Sequence, residues 1–279
     1  MLRLDEKVAI LSGGASGIGE ASARVMAALG ATVVIADVDE ARSDAIVTDI
    51  RADGGNALSI PTDIMSEHAI RQLMSSTMET CGRLDILMNS AGIPRSLAPD
   101  AEVAEMSVEW WNTTFAGHVT SSMLNCKYAI PCMIAGGGGS IINTSSMAAF
   151  GATLDQAAYS VSKAGVNALS REVAATYGRD NIRCNTIVPG AVLTPRGRAT
   201  MTKEMFMLFA SETPVPYVPS PVDLGNVVAF LASDFSRAVN GQTLSVNGGL
   251  GITLPYWQYK MRKTRGAHFE ETMPPYEES

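Results

Sequence analysis

A tyrosine and a lysine, Tyr159 and Lys163, stand four residues apart and could together transfer a proton. Residues at this spacing share one face of an α-helix, so the lysine ammonium can approach the phenol. A tyrosine pKa near 10 is too high for an efficient base at neutral pH. Lowering it by about two to three units needs roughly 3 to 4 kcal/mol, which a nearby cation helps to supply. Ser146, thirteen residues before the tyrosine, could hydrogen-bond a reacting oxygen.

The four-residue spacing alone does not single out this pair. Two further Tyr-x-x-x-Lys sequences begin at Tyr256 and Tyr259, near the end of the chain. Thirteen residues before those tyrosines stand Thr243 and Val246 rather than a serine. We therefore interpret the later pairs as surface residues and assign the proton-transfer chemistry to Tyr159.

A glycine-rich stretch, Ser12 to Gly19, could bind a diphosphate. It reads Ser-Gly-Gly-Ala-Ser-Gly-Ile-Gly, follows a short apolar run and leads directly into a helical pattern. Glycines at such a junction let backbone N–H groups approach the anion, and the positive end of the helix dipole favours it. On its own, a glycine cluster is as often only a turn.

Asp37 strengthens the nucleotide interpretation, because it closes the next strand about 20 residues further on, where a carboxylate can accept hydrogen bonds from ribose hydroxyls. The same carboxylate would repel a 2′-phosphate. No lysine or arginine stands in the glycine loop or at positions 38 to 41, and Asp39 and Glu40 add negative charge. The pattern therefore favours NAD over NADP. Alternatively, Asp37 is only a turn residue at a strand end.

The elements that position these residues alternate between short apolar strands and longer helical segments, which predicts an α/β fold: a doubly wound parallel sheet of about seven strands with helices on both faces. Ile18, Ser22, Val25 and Leu29 recur on one face of the first helix, and Gly30 ends it. The predicted strands are Val8–Leu11, Thr32–Asp37, Ala57–Pro61, Ile86–Asn89, Ser140–Thr144, Arg183–Val188 and Gln242–Val246.

Composition excludes several classes of protein. A net charge of −7 argues against a nucleic-acid partner, which would require a basic surface. The four cysteines, none in a C-x-x-C motif, suggest neither a disulfide framework nor a zinc site, so we expect no metal. Because the N-terminus lacks a signal-peptide pattern and no run is long enough to span a bilayer, we expect a cytoplasmic protein that has no membrane partner.

From Lys7 to Gly251 the chain resembles the classical short-chain dehydrogenases/reductases. The ordered motifs are Ser12 to Gly19, Asp63-Ile64, Asn89 to Gly92, Ser146, Tyr159 to Lys163, Arg183 to Asn185 and Pro189 to Thr194. The resemblance implies an NAD-dependent enzyme that interconverts a secondary alcohol and a ketone. The implied NAD-binding residues are Ser12, Gly13, Ser16, Gly17, Ile18, Gly19, Asp37, Val38, Asp63, Ile64, Asn89, Ala91, Gly92, Tyr159, Lys163, Pro189, Gly190, Val192 and Thr194. Lys163 would bind the nicotinamide ribose.

One position departs from the family pattern. Where the family commonly has a fourth catalytic residue, an asparagine seven residues after a tryptophan, this chain has His118, counted from Trp111. The family asparagine acts largely through a backbone carbonyl at a helix irregularity, so activity does not require its side chain. We predict His118 as a catalytic residue that could carry protons near neutral pH. The alternative is that it only fills space.

The chain outside these motifs yields broader expectations. Residues 1–251 are predicted to form one Rossmann-type domain, with a substrate lid over about 194–221 whose methionines and phenylalanines suggest an apolar or cyclic substrate. Such side chains are more often ordinary packing. Residues 252–279 form an extension that could pack on another subunit of a homo-oligomer, a dimer or tetramer, or be a loosely ordered end.

Two other functions fit the same scaffold. One is the reduction of an imine or enone; sugar epimerisation is disfavoured by the chain length and loop spacing. The other is a catalytically silent NAD-binding scaffold protein, against which the intact Ser146, Tyr159 and Lys163 argue.

Overall fold

The fold is built on a seven-stranded parallel sheet. The structure, a computed structural model, describes residues 2–93 and 99–266. The strands are β1 (Val8–Ser12), β2 (Thr32–Asp37), β3 (Asn56–Pro61), β4 (Ile86–Asn89), β5 (Gly139–Thr144), β6 (Ile182–Pro189) and β7 (Thr243–Val246). Their order is β3-β2-β1-β4-β5-β6-β7, and all neighbours are parallel. The predicted doubly wound sheet is confirmed.

Helices cover both faces of the sheet. They are α1 (Gly17–Ala28), α2 (Glu40–Ala52), α3 (Glu67–Cys81), α4 (Val108–Phe115), α5 (Ser121–Ala135), α6 (Ala157–Tyr177), α7 (Pro195–Thr200), α8 (Lys203–Glu212), α9 (Pro221–Ala232) and α10 (Trp257–Arg265). One core cluster holds side chains of α1, α2 and α9, and the second holds those of α3, α5 and α6. Strand residues alternate between the two clusters: Ala9 and Leu11 enter the first, Val8 and Ile10 the second.

The chain reverses its direction of winding at β1. Strands β2 and β3 lie on one side of β1, while β4 to β7 extend on the other side. The connections that leave β1 and β4 therefore diverge and open a crevice at the carboxyl edge of the sheet, which is where ligands of such folds bind. All the strand-end motifs predicted above follow strands that end at this edge.

Two local backbone features agree with the expectations from the sequence. A π-helical turn, Ala116–Thr120, joins α4 to α5, so the long helical segment has the backbone irregularity expected around His118. Gly30, whose φ is +99°, follows the first helix, as predicted. Its left-handed backbone lets the chain turn sharply into β2.

The region predicted as the lid contains α7 and α8. The tail beyond Gly251 contributes α10, and Gln258 joins the two regions by donating its Nε2 to Ser211 Oγ at 2.9 Å and to Glu212 Oε1. Tyr256 and Tyr259, the tyrosines of the later Tyr-x-x-x-Lys sequences, are exposed on this part of the chain. The bounds of the single domain and the role of the tail stay predictions.

Candidate active site

The first two turns of α6 carry the predicted proton-transfer pair. Lys163 Nζ lies 5.6 Å from the centroid of the Tyr159 ring, as the i, i+4 spacing predicts. The lysine is almost fully buried, and its Nζ donates to the Thr144 carbonyl at 2.9 Å. Burial lowers the pKa of Lys163 to about 8. The amine is therefore held beside the phenol in a setting that excludes most water.

Ser146 lies just beyond the end of β5, on the same side of the fold. Its backbone is extended and its Oγ accepts a hydrogen bond from the Ala148 N–H at 3.2 Å, which fixes the side chain at the start of a short 3₁₀ turn. The preceding residue, Ser145, donates its Oγ to the Lys163 carbonyl at 3.0 Å. This bond joins the residue before Ser146 to α6, so the segment after β5 is linked directly to the helix that carries Tyr159.

The glycine-rich loop forms a cradle that larger residues would fill. Gly13 has a φ of +80°, and a Cβ on it would come within 2.5 Å of the Ala91 nitrogen. A Cβ on Gly19 would collide with the Gly13 carbonyl. The Ser12 carbonyl accepts hydrogen bonds from the N–H groups of Ser90 and Ala91, at 2.9 and 2.8 Å. These contacts join the loop after β1 to the segment after β4, the two sides of the crevice.

Asp37 stands at the end of β2 beside this loop. Its Oδ2 accepts from the Ala15 N–H at 3.1 Å, and its Oδ1 accepts from the Asp39 N–H at 3.2 Å. The carboxylate is thereby held at the place where the adenosine ribose of a dinucleotide would lie. Val38, the next predicted residue, has an exposed side chain.

The structure also brings to this loop an arginine that the sequence interpretation missed. Arg42 donates its Nε to the Ala15 carbonyl, and its Nη2 lies 3.0 Å from Glu20 Oε2. Arg42 stands one residue beyond positions 38 to 41, which contain no lysine or arginine. Because Arg42 lies in the first turn of α2, its side chain reaches back to the glycine loop.

The remaining predicted coenzyme positions follow β3, β4 and β6. Asp63 accepts at Oδ1 from the Met65 N–H at 2.8 Å, and Ile64 beside it is half-buried. Asn89 is buried and donates to Asn143 Oδ1 at 2.8 Å, so its side chain also links β4 to β5.

The segment after β6 returns to the glycine loop. Gly190 approaches Asn247, where a Cβ would come within 2.8 Å of the asparagine Cβ, and Val192 joins the apolar core. Thr194 lies against Gly17, since a Cβ on that glycine would be 3.0 Å from Thr194 Cγ2. Pro189 ends β6. The predicted residues Ser16, Gly17 and Ile18 form the start of α1.

Comparison with known proteins agrees with this geometry. A family profile described as enoyl-(acyl carrier protein) reductase matches residues 13–251. The 2,5-dichloro-2,5-cyclohexadiene-1,4-diol dehydrogenase LinX of Sphingobium indicum is 37% identical over 250 residues, covering 90% of this chain and 98% of LinX. The cis-4-hydroxycyclohexanecarboxylate dehydrogenase of Sinomonas cyclohexanicum is 36% identical over 244 residues, covering 88% of this chain and 96% of its own.

A solved structure is similar over the same region. A 7α-hydroxysteroid dehydrogenase complexed with NADH and 7-oxo glycochenodeoxycholic acid is 33% identical, with a TM-score of 0.85, and the match covers 89% of this chain and 95% of that one. The chain belongs to the short-chain dehydrogenase/reductase family. It is therefore an oxidoreductase with the Rossmann fold, as the sequence motifs predicted.

In this short-chain dehydrogenase/reductase, His118 lies beside Tyr159, a residue of the predicted proton-transfer pair. The imidazole is buried within the π turn and meets the Tyr159 ring edge-on, with 5.4 Å between ring centroids. It packs so closely on Gly92 that a Cβ there would come within 2.5 Å of the imidazole Cε1. The His118 carbonyl accepts from Ser122 Oγ at 2.7 Å. Histidine thus contacts the tyrosine, and its proposed role as a proton carrier stays a prediction.

A second residue that the sequence interpretation missed is Asp100. Its Oδ1 accepts from the Ala158 N–H at 3.1 Å, and its Oδ2 accepts from the Tyr159 N–H at 2.8 Å. No periodic pattern links residues 59 positions apart in the chain. Because the N-terminus of a helix favours a negative charge, a carboxylate could have been expected at the uncapped start of α6, but the sequence does not identify which one.

Among residues 2–93 and 99–266, no group of three or more His, Cys, Asp or Glu side chains could hold a metal ion. Over the same residues, no helix is both long and apolar enough to cross a bilayer. The glycine cradle, Asp37 and the buried Lys163 amine fit a nicotinamide dinucleotide, the coenzyme type of the family.

Proposed function

We propose that this short-chain dehydrogenase/reductase interconverts a secondary alcohol and a ketone with NAD as its coenzyme. The observation that carries the proposal is the buried Lys163 ammonium 5.6 Å from the centre of the Tyr159 ring, at the sheet edge that also holds the glycine cradle. A catalytically silent scaffold would gain nothing from keeping a buried amine of this kind, because burying a cation is costly.

Tyr159 would act as the acid and base of the reaction. In alcohol oxidation its phenolate removes the hydroxyl proton, and in the reverse direction its phenol protonates the oxygen of the ketone. With a pKa of about 8, the Lys163 amine remains largely protonated at neutral pH and favours the phenolate. Ser146 would hydrogen-bond the substrate oxygen and hold it near the phenol. When bound, NAD supplies the site that accepts the hydride, and Lys163 would also bind its ribose.

The choice of NAD over NADP rests on Asp37 and on the arginine beside it. The Asp37 carboxylate would accept from the ribose hydroxyls and repel a 2′-phosphate. Arg42 is close enough to the loop to attract that phosphate, but its guanidinium is paired with Glu20 and the Ala15 carbonyl. The pairing leaves the negative charge of Asp37 dominant at this end of the site.

The proposed substrate is an apolar or cyclic alcohol. LinX, the Sinomonas dehydrogenase and the hydroxysteroid dehydrogenase are named for alcohols on rings. Helix α8, in the predicted lid, exposes Met205, Met207 and Leu208, an apolar surface that suits such a substrate.

The family profile's description gives a reason to consider enoyl reduction as a second candidate. That reaction adds hydride to the β-carbon of a carbon–carbon double bond and a proton to the α-carbon, whereas carbonyl reduction leaves the proton on the substrate oxygen. Ser146 and Tyr159, joined through Ser145 and Lys163, therefore favour the carbonyl reaction.

The test is an NAD-coupled screen of secondary alcohols, cyclic alcohols and hydroxysteroids, with an α,β-unsaturated thioester and NADH as the comparison. We expect turnover on at least one cyclic alcohol, and a loss of about 10²- to 10⁴-fold in Tyr159→Phe, the usual contribution of acid–base catalysis. NADH binding without turnover of any alcohol would overturn the proposal.

A further inference from the structure

The helix that carries Tyr159 begins without a capping side chain of its own. Tyr159 is the third residue of α6, so its backbone N–H is among those that have no acceptor inside the helix. Gln156, which precedes the helix, makes no side-chain cap within the part of the chain that the structure describes. The acceptors for this first turn must therefore come from elsewhere in the fold.

They come from the connection between β4 and α4. Asp100 accepts from two successive N–H groups: Oδ1 from Ala158 at 3.1 Å and Oδ2 from Tyr159 at 2.8 Å. The next carbonyl, that of Ala101, accepts from the Ala157 N–H at 3.3 Å. Asp100 Oδ1 also accepts from the Ala101 N–H at 3.0 Å, which fixes the carboxylate relative to its own backbone. All three N–H groups that open α6 are thus satisfied by one short segment.

A carboxylate is a suitable acceptor at this position. A carboxylate at a helix N-terminus interacts favourably with the helix dipole, and hydrogen bonds to a charged acceptor are shorter and stronger than neutral ones. The carboxylate holds the backbone nitrogen of Tyr159 itself. The direction in which the phenol leaves the helix, between the His118 ring and the Lys163 amine, therefore depends on this contact.

We propose that Asp100 is a positioning residue for the reaction: it fixes the first turn of α6 so that the Tyr159 phenol points at the substrate oxygen. The inference rests on the proposed function, since it assigns Tyr159 the acid–base role. Because small errors in the placement of a reacting group cost large factors in rate, loss of the carboxylate lowers turnover more than it lowers binding.

The experiment compares Asp100→Ala and Asp100→Asn with the unchanged protein and with Glu102→Ala. Glu102 is an exposed acid two residues away in the same segment, and no side-chain hydrogen bond joins it to α6 among the described residues, so its removal matches the loss of charge. NADH titration counts the binding sites in each preparation, and kcat for a cyclic alcohol is expressed per site. This normalisation separates slower chemistry from partial unfolding.

We expect kcat per site to fall about tenfold or more in Asp100→Ala, with the Kd for NADH within about twofold of its original value. Asp100→Asn keeps one acceptor oxygen and is expected to lie between Asp100→Ala and the unchanged protein. Glu102→Ala should match the unchanged protein.

A kcat per site within twofold in both Asp100 variants would overturn the proposal, as would an equal fall in Glu102→Ala. A purely structural role would reduce the number of NADH-binding sites but leave the turnover of each site unchanged. If the unchanged protein itself oxidises no alcohol, the proposed function has failed, an outcome distinct from failure of the positioning role.

Discussion

Lys163 is a buried cation with little contact with water. Its side chain is buried between the end of β5 and α6, and Nζ donates to the carbonyl of Thr144 rather than to a carboxylate. Burial without an opposing charge disfavours the ammonium form, which is why the pKa falls to about 8 from 10.5. The buried lysine therefore lowers the stability of the fold at neutral pH. A role in the proposed reaction would explain why a charged residue occupies this position.

The lowered pKa predicts how the free energy of unfolding depends on pH. Between pH 8 and 10.5 the lysine is protonated in the unfolded chain and largely deprotonated in the folded chain. The contribution of this group to the free energy of unfolding therefore increases with pH. Urea denaturation of the coenzyme-free protein and of Lys163→Met measures this effect. From about pH 7.5 to 9.5 we expect the unchanged protein to gain about 1 to 2 kcal/mol relative to the variant. A difference independent of pH would contradict the lowered pKa.

The ion pair between Glu20 and Arg42 suggests how the coenzyme preference can be changed. Asp37→Ser removes the carboxylate that we propose repels a 2′-phosphate, but Glu20 still pairs with Arg42 at 3.0 Å. Adding Glu20→Gln releases the guanidinium, and we expect the Kd for NADPH to fall about tenfold or more relative to Asp37→Ser alone, the value of a hydrogen bond between charged groups. Binding is measured by coenzyme fluorescence.

Asp49→Asn in the Asp37→Ser background is the matched control. Asp49 pairs with Arg24 at 2.9 Å, and Arg24 in turn contacts Glu20, so among the described residues Asp49 is linked to Arg42 through two intervening residues and leaves the Glu20–Arg42 pair itself intact when it is replaced. We expect no gain in NADPH affinity from this change. Equal affinities in the two double variants would show that Arg42 plays no part in coenzyme choice.

At the level of whole elements, the strands were predictable and the links between distant loops were not. All seven predicted strands lie within one residue of the observed bounds, because buried parallel strands leave short β-branched runs between turn residues. The closeness of Lys163 to the Tyr159 ring was predictable from their helical spacing, whereas the choice of this pair depended on Ser146, and its catalytic role stays a prediction. By contrast, Asp100 and Arg42 act on residues 59 and 27 positions away, and no sequence period records such contacts.

The π turn shows the same limit on a smaller scale. One extra residue in a helix leaves no trace in a hydrophobic pattern, so the irregularity at Ala116–Thr120 was expected only from the family resemblance. The contact of His118 with both Gly92 and Tyr159 depends on that turn, and it too could not be derived from composition or spacing.

Helices α8 and α10 are joined through one side chain, which predicts an effect on substrate binding. Gln258 donates to Ser211 and Glu212 at the end of α8. We expect Gln258→Ala to raise KM for a cyclic alcohol about two- to tenfold, in line with the loss of one or two hydrogen bonds, while NADH affinity is unchanged. Lys263→Ala, an exposed change on the same helix, is the control. An unchanged KM in Gln258→Ala would argue that α10 does not support the lid.

At the scale of the whole molecule, charge is unevenly distributed. The chain carries a net charge of −7, yet α10 contributes Lys260, Arg262, Lys263 and Arg265. A basic helix on an otherwise acidic protein is suited to contact a second copy of the same chain, since opposite charges attract across an interface. This asymmetry supports the proposal that the tail is an intersubunit arm of a homo-oligomer.

Removing residues 252–279 tests the arm. We expect the full chain to sediment as a dimer or tetramer and the shortened chain to dissociate at low protein concentration, because the arm's contacts would be lost. A chain that lacks only residues 267–279 separates the contribution of α10 from that of the residues after it. Identical masses for the full and shortened chains at every concentration would rule out an assembly role for the tail.

Thr194 meets Gly17 where the segment after β6 passes the start of α1. The diphosphate of the coenzyme would bind at this same helix start. Bound coenzyme would therefore stabilise the segment from which α7 and α8 extend. Without the coenzyme, the segment predicted to be the lid would lack that support when the alcohol arrives. From this contact we expect a compulsory order of addition, in which the nicotinamide coenzyme binds before the alcohol and leaves after the ketone.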